Sequence, residues 1–323
     1  LRDGAEVAPD DDITAAALEG ALAVASKAVA RSRRRELATR MAIVAMGRFG
    51  GHELAYGSDA DVMFVHEPVE GAEPEQSSGD AQAVANEMRR LLQLPGTDPA
   101  LEVDASLRPE GKQGPLVRTL GSYAAYYAKW SAVWEAQALL RAEAMIGDRE
   151  LCERFDAMID PLRFPEDGLS ADDIREVQRI KARVDEERLP RGADRATHLK
   201  LGRGALADVE WTVQLLQMQH AGEVPGLRTT RTLAALRAAV EADLIAADDA
   251  ADLEAAWSLV SRIRNATTQV RGKPSDEMPR DPREKAAVAS VLGYGPGESD
   301  VLVNDHLRTT RRARAVVERV FWG

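Results

Sequence analysis

The chain opens its periodic pattern with Ile13, Ala17, Ala21, Val24 and Ala28, spaced as one face of a helix. Met41-Ala42-Ile43-Val44-Ala45-Met46 is apolar without a break and stops at Gly47, which predicts a buried strand. Gly50-Gly51 then reads as a turn or the start of a helix. Val62-Met63-Phe64-Val65 predicts a second buried strand. Residues 67–80 are rich in Glu, Pro, Gly and Ser and predict a surface loop. Val84, Met88, Leu91 and Leu92 mark a helix, and Leu101–Leu107 alternates with period two, a third strand.

Past residue 120 the strand signals fade. Tyr123, Tyr127, Trp130 and Trp134 step by four, three and four, and read as the buried face of a helix rather than a base-stacking platform. Ser170 and Asp173 form a capping box that opens a helix through Ile174, Val177 and Val184. Four further stripes follow: Leu206 to Leu216, Leu233 to Leu244, Leu253 to Val270, and Leu302 to Val320. Long amphipathic helices with short connections predict an antiparallel bundle. The expected organisation is a linker and helix over 1–40, a catalytic domain over 41–165, a connecting helix and loop over 166–204 and a helical bundle over 205–323. The fold class is α+β: a small mixed sheet with helices, then an all-α domain.

Composition narrows the function. In 323 residues, hydrophobic side chains make up 45%, enough for two cores. The net charge of −11 and the lack of a long Lys/Arg block argue against a nucleic-acid partner. Arg31-Ser32-Arg33-Arg34-Arg35 reads as a solvated helix end. Cys152 is the single cysteine, so neither an intrachain disulfide nor a thiolate metal site can form. That suits the cytoplasm. No apolar run reaches the roughly 20 residues that span a bilayer, and no membrane partner is expected. The start, Leu1-Arg2-Asp3-Gly4, lacks Met and a signal-peptide pattern, as in a domain cut from a longer chain.

The chemistry concentrates in Gly47–Asp61. Asp59 and Asp61 open the second strand, where residues i and i+2 face one side about 6.5–7 Å apart. Two carboxylates held so repel each other unless cations intervene. Hard oxygen ligands suit Mg²⁺, with Mn²⁺ able to substitute; two ions roughly 3.5–4 Å apart clamp the attacking and leaving oxygens of an in-line displacement. Asp104 lies mid-strand between Val103 and Ala105, and is the third candidate, as ligand and as proton acceptor. Gly50 and Gly51 let backbone approach phosphate oxygens, Ser58 offers a hydroxyl, and Arg108, Lys112 and Arg118 can neutralise a triphosphate. His52 and His66 do not make a zinc site.

Gly50–Val65, Gly-Gly-His-Glu-Leu-Ala-Tyr-Gly-Ser-Asp-Ala-Asp-Val-Met-Phe-Val, resembles the signature of the glutamine synthetase adenylyltransferase family, a branch of the polymerase-β-like nucleotidyltransferases. Val103–Gly111 is similar to the family's third-acid strand, Trp134–Ala142 to its Trp-Glu-x-Gln-Ala-Leu helix, and Lys200–Trp211 to the opening of its helical domain. At Gly202-Arg203-Gly204-Ala205 the chain departs from the commoner Gly-Gly pair. The resemblance implies a polymerase-β-like fold and Mg²⁺-dependent transfer of AMP from ATP to a tyrosine of glutamine synthetase. Tyr56 and Asp208 resemble the adenylylating, C-terminal half of these bifunctional enzymes. On resemblance alone Asp208 and Glu210 join the nucleotide site, although two residues apart on a regular helix they point about 200° apart. Lys200 and Arg203 are possible phosphate partners, and Glu135 and Arg141 belong to the site or pair with each other. A PII-type signalling protein and the rest of a longer bifunctional chain are the implied further partners. The alternatives are phosphorolytic deadenylylation, a UTP-using relative acting on PII, and a non-catalytic nucleotide-binding module.

Overall fold

A computed structural model describes residues 10–95, 101–130 and 132–323; residues 1–9 of the expected linker lie outside that range. The chain divides into two compact units, Leu1–Leu54 with Ser58–Arg163, and Ala55–Gly57 with Phe164–Gly323.

The first unit is built on a mixed sheet. Its elements are α1 (Asp10–Arg33), β1 (Thr39–Ala45), α2 (Gly47–Gly50), β2 (Ala60–Pro68), α3 (Pro74–Leu92), β3 (Val103–Asp104), β4 (Val117–Thr119), α4 (Leu120–Trp130), α5 (Val133–Leu139), β5 (Glu143–Gly147) and α6 (Arg149–Arg163). The strands run in the order β3-β2-β1-β5, and β4 pairs with β2 beyond β3. β1 is antiparallel to β2 and β5, while β3 and β4 are parallel to β2.

Both faces of this sheet are covered, which is why β1 and β2 read as unbroken apolar runs. Met41, Ile43, Ala45, Ala60, Val62 and Phe64 pack with Leu18, Leu22, Val29 and Val84, Ala85, Met88 of α1 and α3. Ala42, Val44, Met63 and Val65 pack on the other side with Tyr123, Tyr127, Phe155 and Ile159. Each strand splits its residues by parity between two layers of helix.

Several local expectations need correction. The segment 67–80 is not one loop: β2 extends to Pro68 and α3 begins at Pro74, with proline in its first turn. The third strand shrinks to Val103–Asp104. Strand structure also returns past residue 120, as β5. In the aromatic stripe Tyr123 and Tyr127 are buried, but α4 ends at Trp130, and Trp130 and Trp134 are 63% and 49% exposed. Among the described residues α1 alone is long and apolar enough to cross a membrane by length and composition, which the run-based reading missed because alanine carries so much of its apolarity. Its Leu18, Leu22, Ala25 and Val29 lie in the core against α3. The basic cluster at its end is partly engaged: Arg33 and Arg35 close on the fully buried Asp80 at 3.0 and 2.7 Å, and the Ala38 amide donates to the same carboxylate.

Asp156 of α6 accepts the Ala144 amide of β5 at 3.1 Å. Burial pushes its carboxyl up to about 6, against the opposing pull of that amide. A folded-state value above the unfolded one makes the acid bind protons more tightly when native, so this group's contribution falls as pH rises from about 4 through 6. Asp156→Asn keeps an acceptor for Ala144 and removes the charge. It is expected to stabilise the protein by roughly 1–3 kcal/mol at pH 7. The gain should vanish near pH 4; thermal melts at the two pH values measure it.

The second unit is helical. α7 (Ala171–Glu187) occupies the segment expected to connect the domains, and α8 (Leu206–His220), α9 (Thr232–Glu241), α10 (Ala247–Arg271), α11 (Pro282–Val291) and α12 (Ser299–Val320) supply the helices expected beyond residue 205. The Ser170 hydroxyl and Asp173 carboxylate make the capping box that opens α7. α10 packs along α8, α9, α11 and α12. Within this unit the Tyr56 amide donates to Asn265 Oδ1 at 3.3 Å.

Candidate active site

Asp61 and Asp104 occupy one rung of the sheet. β2 and β3 pair in parallel with Ala60 opposite Val103 and Asp61 opposite Asp104. Neighbours on one rung point to the same face, their strands about 4.8 Å apart. The parity of the cores fixes which face. Ala60, Val103 and Ala105 belong to the α1/α3 core, so Asp61 and Asp104 face the other way, on the side of Met63 and Val65. Asp59 lies one pleat earlier, exposed just ahead of β2. The alternation that made Asp104 conspicuous in the sequence thus delivers it beside Asp61.

Asp104 is held in place locally. Its Oδ1 accepts the Ser106 amide at 2.7 Å and also the Ser106 hydroxyl. Partial burial alone would raise its pKa; the Ser106 donors and the Lys112 and Arg108 charges outweigh it and hold the carboxyl below its ordinary value. Asp104 is therefore an anion at neutral pH. The donor set, two aspartates on one rung with Asp59 just ahead of the strand, is the hard-oxygen chemistry that Mg²⁺ takes. As they stand, no three carboxylate, imidazole or thiolate groups among the described residues are gathered tightly enough to hold an ion. The set fits the ion in kind.

The turn after β1 has a different logic from the one its sequence suggests. The Gly50 and Gly51 amides donate to Met46 and Gly47 carbonyls at 3.0 and 3.1 Å, so both are spent inside the turn. A side chain at Gly50 would strike the Arg141 and Ala45 carbonyls, and one at Gly51 would strike the Arg141 guanidinium. Arg141 in turn pairs with Glu53, and Glu135 accepts from the Tyr126 hydroxyl at 2.9 Å. The glycines admit this buried arginine. Gly50→Ala is accordingly expected to destabilise the protein by about 2–3 kcal/mol, read as a lowered midpoint in urea.

The glycine against the acids is Gly47. It adopts φ +56, and a Cβ there would lie 2.8 Å from Asp61 Oδ2. The signal available in the sequence was the abrupt end of the apolar run at that residue. Ser58 Oγ is buried with no hydrogen-bond partner among the described residues, one residue before Asp59. An unsatisfied buried hydroxyl beside an acid cluster is suited to donate to an anionic oxygen.

Arg108 and Lys112 line a groove of about 650 Å³ along the β3 edge, together with Asp59 and Asp104. The Arg108 guanidinium donates to the Ala105, Lys112, Gly114 and Pro115 carbonyls. It braces the loop that presents Lys112. Arg118 pairs with Glu110. His52 contacts Glu143 at 2.8 Å, and His66 is buried against Thr39 and Ser77.

Asp208 and Glu210 lie within the regular part of α8, which begins at Leu206, so the two do not share a face. Asp208 is 3% exposed. It accepts from Lys181 Nζ at 2.6 Å, Arg314 Nη1 at 2.9 Å and the Gly204 amide at 2.7 Å. Burial would raise its pKa, but Lys181, Gly204 and Arg314 together bring it below the ordinary value. Glu210 is half-buried, and Lys200 and Arg203 are exposed.

Comparison with known proteins accords with this division. The family model for glutamate-ammonia ligase adenylyltransferase matches residues 10–158. The model for GlnD PII-uridylyltransferase matches residues 178–322. The bifunctional glutamine synthetase adenylyltransferase/adenylyl-removing enzyme of Streptomyces avermitilis is 58% identical over 97% of this chain and 31% of its own length. Its counterpart in Streptomyces coelicolor is 56% identical over 96% and 31%, and that of Mycobacterium avium 56% over 87% and 28%. The chain spans about a third of the length of these relatives. With such identity along nearly its whole extent, the chain belongs to the family of bifunctional glutamine synthetase adenylyltransferase/adenylyl-removing enzymes.

Proposed function

We propose that the chain transfers AMP from ATP to a tyrosine hydroxyl of glutamine synthetase, releasing pyrophosphate and so regulating nitrogen assimilation. The observation that carries this reading is the shared rung of Asp61 and Asp104 with Asp59 one pleat away. In this reading the three acids hold Mg²⁺, which supplies charge neutralisation at the phosphates and positions the reacting oxygens. Ser58 and Lys112 hold phosphate oxygens, and Gly47, Gly50, Gly51 and Arg108 shape the loops around them. The phenol oxygen attacks the α-phosphorus, the bond to pyrophosphate breaks, and the phenolic proton passes to Asp104. A carboxylate kept ionised by Ser106 is available as that acceptor at neutral pH.

Two points favour adenylylation over the neighbouring activities. The acid-bearing unit matches the adenylyltransferase model, whereas the uridylyltransferase model matches within the second, helical unit. The relatives' name includes an adenylyl-removing activity, but Tyr56 and Asp208 resemble the adenylylating half. Asp208 and Glu210 are assigned to the nucleotide site by that resemblance, and the remainder of the longer chain and a PII-type protein are the proposed regulatory partners.

Incubation of the chain with glutamine synthetase, Mg²⁺ and ATP labelled at the α-phosphate is expected to label a tyrosine and release pyrophosphate. An unlabelled target, beside a known adenylyltransferase that labels it, refutes the assignment. Phosphate-dependent release of ADP from adenylylated glutamine synthetase, without labelling in the forward direction, identifies the removing activity instead.

A further inference from the structure

Three consecutive residues tie the turn after β1 to three different parts of the first unit. His52 Nε2 lies 2.8 Å from Glu143 Oε2 at the start of β5. Glu53 pairs with Arg141, two residues ahead of that strand. The Leu54 amide donates to Asp11 Oδ1 of α1 at 3.1 Å. The turn also closes on itself, since the Glu53 amide donates to the Arg48 carbonyl at 2.9 Å. His52 has φ +53, a left-handed conformation that a residue with a Cβ keeps only where its surroundings hold it there.

The middle tie is the buried one. The Arg141 side chain is 5% exposed and that of Glu53 15%. Its guanidinium fills the space that a side chain on Gly51 would need, and its carbonyl does the same beside Gly50. The Arg141 backbone is itself fixed. Its amide donates to the Ala138 carbonyl of α5 at 3.3 Å, and two residues on Glu143 stands opposite Ala45 of β1. A planar guanidinium with donors in a rigid fork, seated on such a backbone, sets the height of the turn above it. An arginine so enclosed offers a ligand almost no surface. The start of the turn meets the acids: the Met46 amide donates to the Asp61 carbonyl at 2.9 Å, and the open side of Gly47 lies against the Asp61 carboxylate. A shift of Gly50 and Gly51 therefore reaches Asp61 through the single helical turn of α2.

We propose that Arg141, held by Glu53, is a positioning residue for AMP transfer: it touches no substrate and acts on Asp61 through the glycine turn. The inference rests on the adenylyltransferase reading. Steady-state transfer to glutamine synthetase is measured for the parent, Arg141→Lys, Glu53→Gln and the two combined. Lysine keeps the charge without the fork, and glutamine keeps an acceptor without the charge. Each single change is expected to lower kcat about 30-fold, because misplacing a reacting group by ~1 Å costs up to about 100-fold, while KM for ATP stays within about threefold. The double variant is expected to fall no further than the slower single, since each residue acts through the other. Asp80→Asn is the comparator. Asp80 is a fully buried anchor for Arg33, Arg35 and the Ala38 amide, at the end of β1 away from Gly47, so its loss should lower the melting temperature and leave kcat within about twofold. Thermal melts accompany every rate; if Arg141→Lys melts below the assay temperature, the kcat of Glu53→Gln decides. Variants that melt lower yet keep the parent's kcat reveal an arginine that only stabilises the fold, and overturn the proposal. So do single effects that multiply in the double variant, and so does a raised KM for ATP at unchanged kcat, which would put Arg141 on the nucleotide. In each of these cases the parent still labels glutamine synthetase. A parent that does not label it refutes the reaction, and this role with it.

Discussion

Asp61→Asn is expected to slow AMP transfer at least ~10³-fold, equivalent to about 4 kcal/mol of lost transition-state stabilisation, with the fold retained. Asparagine keeps the size of the side chain and its place on the β2–β3 rung, so the sheet loses no packing. What disappears is one of the two negative charges on the Asp61–Asp104 rung, and with it a hard-oxygen ligand for the divalent ion of the proposed reaction. Asp61→Asn leaves the Ser106 donors on Asp104 in place, whereas changing Asp104 would disturb the turn at 105–108 as well as the chemistry. Initial rates of label transfer from ATP, paired with thermal melts, separate the two effects. A melting temperature within ~2 °C of the parent and a rate within threefold of it would leave the acid cluster without a catalytic role.

The largest effect on stability is expected at Asp208. Asp208→Ala leaves Lys181, 1% exposed, with Asp185 as its remaining carboxylate partner, deprives Arg314 of a 2.9 Å ion pair and strands the Gly204 amide. Breaking a buried pair from one side costs about 3–5 kcal/mol. For a unit of this size that lowers the melting temperature by roughly 10 °C. The sign of the pH dependence follows from the carboxyl's depressed pKa. Its contribution is complete above the unfolded value of about 4 and fades as pH falls through the folded one, so the gap between parent and variant should close in acid. Replacing the pair together, Lys181→Met with Asp208→Leu, is expected to recover much of the loss. The same position separates scaffold from nucleotide site. Asp208→Asn should leave the Kd of an ATP analogue within about twofold if its role is to clamp α7, α8 and α12, and raise it tenfold or more if the carboxylate touches nucleotide.

The parts of this structure that sequence revealed are those governed by short periods. Runs buried on both faces identified β1 and β2, and the acid between Val103 and Ala105 identified its face. The Ser170–Asp173 box located the start of α7. What escaped was set by contacts distant in sequence. β5, Glu143–Gly147, follows a helical motif and, among the described residues, pairs with β1 alone, with a register shift between Ile43 and Val44. The reason for Gly50-Gly51 lies some ninety residues away, at Arg141. Resemblance alone places Asp208 in the nucleotide site; the ion pairs that bury it were not legible, because Lys181 and Arg314, which engage it, are 27 and 106 residues distant. Gly47 was overlooked because its constraint is the side chain of Asp61 across the turn, not its immediate neighbours.

The brevity of β3 sets how this chain can tolerate changes in length. Two residues, with the Ala60 amide bound to the Glu102 carbonyl at 2.8 Å, fix the rung on which Asp104 stands. One residue added between Glu102 and Asp104 would turn that carboxylate through the sheet into the layer of α1 and α3, while two would restore its facing but carry it a full pleat past Asp61. Insertions and deletions in the β2–β3 connection are therefore filtered by position: those that leave Glu102–Asp104 intact keep the acids opposite one another, and those that fall inside it separate them however well the rest of the chain folds.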